Sequence, residues 1–166
     1  MFHFNSVGAI LRYNDWANGH ILHAAMPLTD EQLDRPFDMG RGTLRRTLLH
    51  VWAGEHVWVE RWQGHTETPW PDEDERVSVS AVAERFRLVF AGRDSFVSRL
   101  TDGDLGRDVT YRDSKGSLFT ATLGDMMIQM IVHSTHHRSQ AVNMLRRVGA
   151  AAPEIDYMMW IRKPAP

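Results

Sequence analysis

Four long stretches of the chain repeat apolar residues at helical spacing, and this pattern limits the fold more than any other feature. The stretches are residues 5–26, 43–63, 80–100 and 122–147. Apolar side chains recur in them every three or four positions, which is the period of a helix with a buried face. Four such helices in a chain of 166 residues predict an all-α, antiparallel-type four-helix bundle that forms a single domain over residues 1–166.

Shorter signals predict the elements between these helices. Thr29 and Gln32 have the spacing of a capping box, so one short helical turn is expected there. Residues 109–112 and 117–120 are extended runs around a turn, which predicts a small hairpin before the fourth long helix. Residues 155–161 are expected to form a short C-terminal helix. The acidic run 72–75 is most simply a solvated loop.

Composition excludes several partners and locations. The net charge is −2, and no basic block is present that would follow a phosphate backbone, so no nucleic-acid partner is expected. No apolar run is long enough to span a membrane. The N-terminus lacks the basic and apolar regions of a signal peptide, so a cytoplasmic location is expected.

The absence of cysteine restricts the chemistry of any site. The chain has 0 Cys and 9 His, so disulfides, thiolate ligands and cysteine nucleophiles are excluded. A bound metal must be held by nitrogen and oxygen atoms. If the protein carries out thiol chemistry, the thiol has to belong to a substrate.

The fourth long helix places two histidines on or next to its buried face. The stripe on that face consists of Met126, Met130, His133, His137, Gln140 and Met144. Residues four apart on a helix lie one above the other, so His133 and His137 can both reach one divalent ion. Burying imidazoles without partners costs free energy, and a shared metal would satisfy both. The alternative is that each is hydrogen-bonded to a neighbouring group.

A metal site needs at least one further ligand. His50 lies in the middle of the apolar second helix, at the flank of its main stripe, so periodicity permits an inward orientation without requiring it. Glu55 lies on that stripe and is the other possible ligand, or else a buried acid paired with an arginine. His136 lies three residues from His133 and competes with His137, although the apolar stripe favours His137.

Three motifs resemble those of the DinB/YfiT-like family. They are Tyr13-Asn14-x-Trp16-Ala17-Asn18, Leu49-His50-x-x-x-x-Glu55-x-x-Trp58-x-x-Arg61-Trp62 and His133-x-x-x-His137-Arg138-x-Gln140. The resemblance extends over nearly the whole chain. It implies a four-helix bundle, often a homodimer, with a divalent metal held by His50, His133 and His137. The better-understood relatives are thiol-dependent transferases and isomerases that use bacillithiol, mycothiol or glutathione.

Three neutral ligands would leave the metal charge uncompensated and at least one position open, which is typical of catalytic sites. Such a metal favours the thiolate form of a bound thiol. Together with the thiol dependence of the relatives, the resemblance implies a metal-dependent enzyme that activates a small-molecule thiol for S-transfer to a small-molecule substrate. One alternative is a hydrolase that uses metal-bound hydroxide. Another is a non-catalytic dimeric metal-binding bundle, with the tryptophans of the second helix as its exposed partner surface.

We expect the following roles for the remaining polar residues of these motifs. Glu55 and His136 are the candidates for proton transfer. Arg138 is expected either on the surface or against a carboxylate of a cosubstrate, and Gln140 is expected to orient a ligand imidazole. Ser134 stands where a metalloprotease helix has its glutamate, so that enzyme class is excluded. An all-imidazole ligand set suits Zn, Ni, Fe or Mn.

Overall fold

The computed structural model describes residues 4–164, with the side chains of Phe4 and Asn5 left aside. The signal-peptide prediction concerns the N-terminus, of which residues 1–3 lie outside this range. The four long helices are α1 (Phe4–Ala25), α3 (Leu44–Trp62), α4 (Val79–Val97) and α5 (Leu123–Arg147). α1 and α3 each pack against both α4 and α5, so the four helices close into a bundle. The predicted all-α bundle is confirmed.

The shorter elements also follow the prediction. α2 (Asp30–Leu33) has Thr29 and Gln32 in a capping box. β1 (Asp108–Arg112) and β2 (Leu118–Thr122) form an antiparallel hairpin directly before α5, with Val109 opposite Ala121. The final helix, α6 (Tyr157–Ile161), is shorter than expected, and a 3₁₀ turn covers Asp102–Gly106.

Local signals at both ends determine the length of α5. The Thr122 side chain accepts a hydrogen bond from the N–H of Asp125, which satisfies one of the free N–H groups of the first turn. Gly149 has a φ of 81°, a conformation that glycine adopts without a steric penalty. The N–H of Ala150 then bonds the carbonyl of Leu145, which ends the helix. His133 and His137 therefore lie well inside a regular helix.

The tryptophans of α3 are buried or partly buried in the bundle core, which contains two apolar clusters. Trp62 is 1% exposed, and Trp52 and Trp58 are partly covered. The expectation that the tryptophans of this helix form an exposed surface is therefore wrong. The large exposed apolar side chains of α1, α5 and α6 are instead Ile10, Val132, Tyr157, Met158 and Ile161.

Within residues 4–164, no helix is both long and apolar enough to cross a membrane.

Candidate metal centre

Three histidines from two helices meet between α3 and α5, the pair of helices with the most extensive contact. Nε2 of His50 lies 3.1 Å from Nε2 of His137 and 3.1 Å from Nε2 of His133. One nitrogen from each of the three rings lies within 4.8 Å of the other two. The structure thus brings together the three histidines that the family resemblance implied, and all three are partly exposed.

Two of the rings, those of His50 and His137, have a hydrogen bond at Nδ1, the nitrogen that points away from the centre. Nδ1 of His50 lies 2.5 Å from Oε1 of Glu73, and Nδ1 of His137 lies 2.7 Å from Oε1 of Gln140. Both oxygens are acceptors, so each Nδ1 carries a proton, and in the neutral form of the ring each Nε2 presents a lone pair. Two lone pairs that face each other at 3.1 Å repel unless a cation lies between them.

His133 is held as a neutral ring by its surroundings. Burial, together with the charge of the neighbouring histidines, lowers the pKa of His133 to about 4. Burial also lowers the pKa of His137, although its hydrogen bond with Gln140 partly offsets this effect. Nδ1 of His133 is buried without a hydrogen-bond partner in the described residues. The ring lies directly against Gly54, where an added Cβ would be 2.6 Å from its Cε1 atom.

Glu73 is a residue of the candidate site that the sequence interpretation missed. It lies in the acidic run, but it is only 6% exposed, so the prediction of a fully solvated run is wrong at this position. Its Oε1 also accepts the indole N–H of Trp70, and Nε of Arg41 donates to its Oε2 at 2.9 Å. Burial alone would raise the pKa of Glu73, but the hydrogen bonds from His50 and Trp70 lower it to about 2. The carboxylate stays ionised and orients the His50 ring.

The three imidazoles fit a divalent ion. Nitrogen ligands with bonds of about 2.0–2.1 Å in a tetrahedral site lie about 3.3 Å apart, close to the 3.1 Å spacing observed. As neutral imidazoles, two of the three donors would have defined tautomers, and outer hydrogen bonds orient those two. Such carboxylate–histidine arrangements are the usual outer support of a metal site.

Gln140 and His136 lie beside the centre. Gln140 contacts both rings: its Oε1 faces His137, and its Nε2 lies 3.1 Å from Nε2 of His136. The amide therefore has one consistent orientation, and Gln140 contacts the His137 ring; its role in orienting a metal ligand stays a prediction. His136 is exposed, lies outside the three-histidine group, and its ring centre is 4.8 Å from that of His137.

Glu55 and Arg138 belong to one buried polar network, which agrees with the alternative that Glu55 is a buried acid associated with an arginine, although here the link is indirect. Glu55 is 0% exposed and Arg138 is 1% exposed. The side-chain amides of Asn14 and Asn18 donate to Oε1 of Glu55 at 2.8 and 2.7 Å, and Ser134 donates to the same oxygen. Arg138 donates to the carbonyl oxygens of both asparagines. The two charges are thus linked through Asn14 and Asn18.

This burial bears on the other roles expected of the two residues. Arg138 is neither on the surface nor accessible to a substrate carboxylate, so those two expectations are wrong. Glu55 does not belong to the group of possible metal ligands in the described residues. The network instead joins α1 to α3 and α5, and it includes Ser134, the residue that follows His133.

A helical bundle with three converging histidines defines the class of protein, and comparisons with known proteins define the family. The sequence model of the DinB family matches residues 1–164. The protein DinB of Bacillus subtilis (strain 168) is 20% identical over 157 residues, which cover 92% of this chain and 91% of that protein. The chain belongs to the DinB family.

A solved structure supports the same fold. The crystal structure of a DinB-like protein from Bacillus cereus ATCC 10987 resembles this chain with a TM-score of 0.68. The two sequences are 23% identical, and the match covers 87% of this chain and 94% of the other. At this identity the likeness concerns the fold and not the activity.

Proposed function

We propose that this protein is a divalent-metal-dependent enzyme that activates a small-molecule thiol for S-transfer, with His50, His133 and His137 as the metal ligands. The observation that carries the proposal is the convergence of three imidazole nitrogens, two of them with lone pairs directed inward by outer hydrogen bonds. A divalent ion held there would favour the thiolate form of a bound thiol, whose ordinary pKa is about 8.5.

The chain's own residues would orient the ligands and accept the thiol proton. Glu73 and Gln140 hold the Nδ1–H groups of His50 and His137. His136 is exposed next to His137 and is our candidate for the proton acceptor once its Nε2 releases the hydrogen bond from Gln140. The thiol loses its proton to His136 or to solvent. Its sulfur then forms a bond to the electrophilic carbon of the second substrate, whose leaving group departs with the bonding electrons.

The engagement of the nearby carboxylates supports a thiol over water as the nucleophile. Metal-dependent hydrolases commonly use a free carboxylate as the general base. Glu73 already accepts hydrogen bonds from His50, Trp70 and Arg41. Glu55 is sealed from solvent, and three donors converge on its Oε1. Neither carboxylate is placed to take a proton from water, whereas a thiol is acidic enough to ionise without one.

Metal content tests the ligand assignment. We expect His50→Ala, His133→Ala and His137→Ala to lose stoichiometric metal by elemental analysis, while the folded variants keep their helical circular dichroism. His56→Ala is the matched control, because His56 lies on α3 but stacks on Trp52 outside the centre. Full metal content in the folded ligand variants would refute the assignment.

Product analysis tests the reaction. The metal-loaded wild type is incubated with a panel of low-molecular-weight thiols and electrophiles, and the products are identified by mass spectrometry. Thiol conjugates that require the metal support S-transfer. Turnover that is independent of thiol would instead establish a hydrolase. Loss of the fold on metal removal, with no turnover of any compound, would establish a structural metal.

A further inference from the structure

We propose that a tight turn between α2 and α3, residues 37–42, positions two of the three metal ligands at once. Two consecutive residues of this turn, Gly40 and Arg41, lie against the side chains that hold those ligands. Arg41 acts on His50, and Gly40 acts on His137. The inference rests on the ligand assignment in the proposed function and adds two positioning residues to it.

Hydrogen bonds within the turn and to α3 hold its backbone in place. The N–H of Phe37 donates to the carbonyl of Gly42 at 2.8 Å, and the N–H of Gly42 donates to the carbonyl of Met39 at 3.0 Å. The N–H of Arg41 donates to the hydroxyl of Thr47, a buried residue of α3. The side chains of Phe37 and Met39 pack against the bundle core. Because its own backbone has little freedom left, the turn can restrict the groups that it contacts.

Arg41 fixes the carboxylate that lies behind His50. Its Nε donates to Oε2 of Glu73 at 2.9 Å, while Oε1 of the same carboxylate lies 2.5 Å from Nδ1 of His50. Because a carboxylate is planar and rigid, a rotation that moves one oxygen also moves the other. Trp70 donates to Oε1 as well, so the loss of Arg41 should loosen the carboxylate without releasing it. A loosened carboxylate orients the ligand imidazole less well.

Gly40 lies against the amide that contacts His137. A Cβ at this position would lie 3.0 Å from Oε1 of Gln140 and 3.1 Å from Cε of Met144, both closer than ordinary contact. Oε1 of Gln140 is the atom that faces Nδ1 of His137. Gly40 also has a φ of 55°, which glycine adopts without a steric penalty. The missing side chain therefore lets the turn close against Gln140 and limits the movement of its amide.

The chain offers a matched control for Arg41. Arg46 is almost equally exposed, 40% against 42%, and it pairs with Asp74, the neighbour of Glu73, at 2.7 Å. Both arginines thus pair with the same acidic run. Asp74 is largely exposed, whereas Glu73 is buried against His50. A difference between the two arginines therefore measures the route through Glu73 and not the loss of a surface charge.

Competition with a chelator of known zinc affinity tests the route through Arg41. We expect Arg41→Met to weaken zinc binding about fivefold, as for the loss of one hydrogen bond to a charged group, and Arg46→Met to bind zinc as the wild type does. Arg41→Lys should recover part of the loss, because lysine supplies the charge without the fixed geometry of a guanidinium. In Glu73→Gln, which cannot form the ion pair, Arg41→Met should add no further loss.

Urea unfolding of the metal-free variants separates positioning from stability. Arg41→Met and Arg46→Met should show the same small change, because each loses one partly exposed ion pair. A lower zinc affinity in Arg41→Met alone then reports the ligand and not the fold. Equal zinc affinity in the two variants would overturn the role of Arg41.

A substitution at Gly40 tests the second route. Gly40→Ala should weaken zinc binding about tenfold, whereas the same substitution in Gln140→Ala, which has no amide to displace, should cost little more. Gly116→Ala is the matched control, because Gly116 also has a positive φ, 83°, but no atom lies within 4 Å of an added Cβ. Gly40→Asn adds the same Cβ in a residue that tolerates positive φ better, and it replaces Gly40→Ala if that variant does not fold.

The two proposals fail in different ways. If the folded wild type takes up no stoichiometric zinc, the ligand assignment and the role of the turn are both refuted. If the wild type binds zinc and neither turn variant binds it less tightly than its control, only the role of the turn is refuted. A loss of affinity that persists undiminished in Glu73→Gln or Gln140→Ala would also overturn that role. Zinc binding that follows these expectations without any thiol transfer would refute the proposed reaction and support the role of the turn.

Discussion

Replacement of Gly54 by alanine should separate metal binding from folding. A Cβ at this position would lie 2.6 Å from Cε1 and 2.8 Å from Nδ1 of His133, whereas ordinary contact begins at 3.4 Å. The imidazole must therefore move by about 0.8 Å. Metal–ligand distances tolerate deviations of only about 0.2 Å. We expect Gly54→Ala to displace His133 from the centre.

The expected loss of affinity can be compared with the expected change in stability. Disturbing the support of a metal ligand typically costs 10- to 100-fold in affinity, and direct displacement of His133 belongs at the upper end, about 2.8 kcal/mol. Folding of the metal-free protein changes less, because alanine gains about 1 kcal/mol of helix propensity against an overpacking cost of about 1–3 kcal/mol.

The assay is competition with a chelator of known affinity, accompanied by urea unfolding of the metal-free protein. Gly92→Ala is the matched control: Gly92 lies inside α4 with no atom within 4 Å of an added Cβ. This control should gain about 1 kcal/mol of stability and bind metal as the wild type does. Wild-type metal affinity in folded Gly54→Ala would refute the placement of His133 as a ligand.

Three further predictions concern charged groups. Glu73→Gln keeps an oxygen for the ligand imidazole but removes the negative charge, so chelator competition should show roughly tenfold weaker metal binding; unchanged affinity would contradict this role. The metal-free protein should lose about 1–2 kcal/mol between pH 7 and pH 5, because the pKa of His133 is about 4 when folded and about 6.5 when unfolded. As the pH falls, the unfolded state binds the His133 proton before the folded state does. The stabilisation from Glu73 does not change in this range, because it persists above its unfolded pKa of about 4.5. Urea midpoints that do not change with pH would be inconsistent with the burial of His133. Arg138→Met should cost about 3–5 kcal/mol in thermal unfolding, since it leaves Glu55 buried without its linked cation, whereas Arg99→Met should change stability by less than about 0.5 kcal/mol.

The elements of the fold could be predicted because their signals are local. Helical spacing of apolar residues, the caps at Thr29 and Thr122 and the stop at Gly149 all act within a few residues of the chain. The proximity of His133 and His137 could be predicted for the same reason, because the pitch of a helix brings residues four positions apart close together.

The outer support of the site could not be predicted in this way. Glu73 reaches His50 because the connection after α3 folds back over that helix, and an acidic run by itself is typical of a solvated loop. Arg138 and Arg61 are long charged side chains on helices, and such residues are usually exposed. Their burial depends on groups from other elements, the asparagines of α1 and the aromatic ring of Tyr111 on β1.

The sequence by itself determined the four long helices, the two histidines on one helical face and the exclusion of cysteine chemistry. These features depend on period, spacing and composition alone. The inward orientation of His50, the protonated Nδ1 atoms of His50 and His137 and the burial of Arg61 were decided only by the tertiary structure. The physical reason is that a buried polar group takes its role from whichever partner the packing of distant segments brings within hydrogen-bond distance.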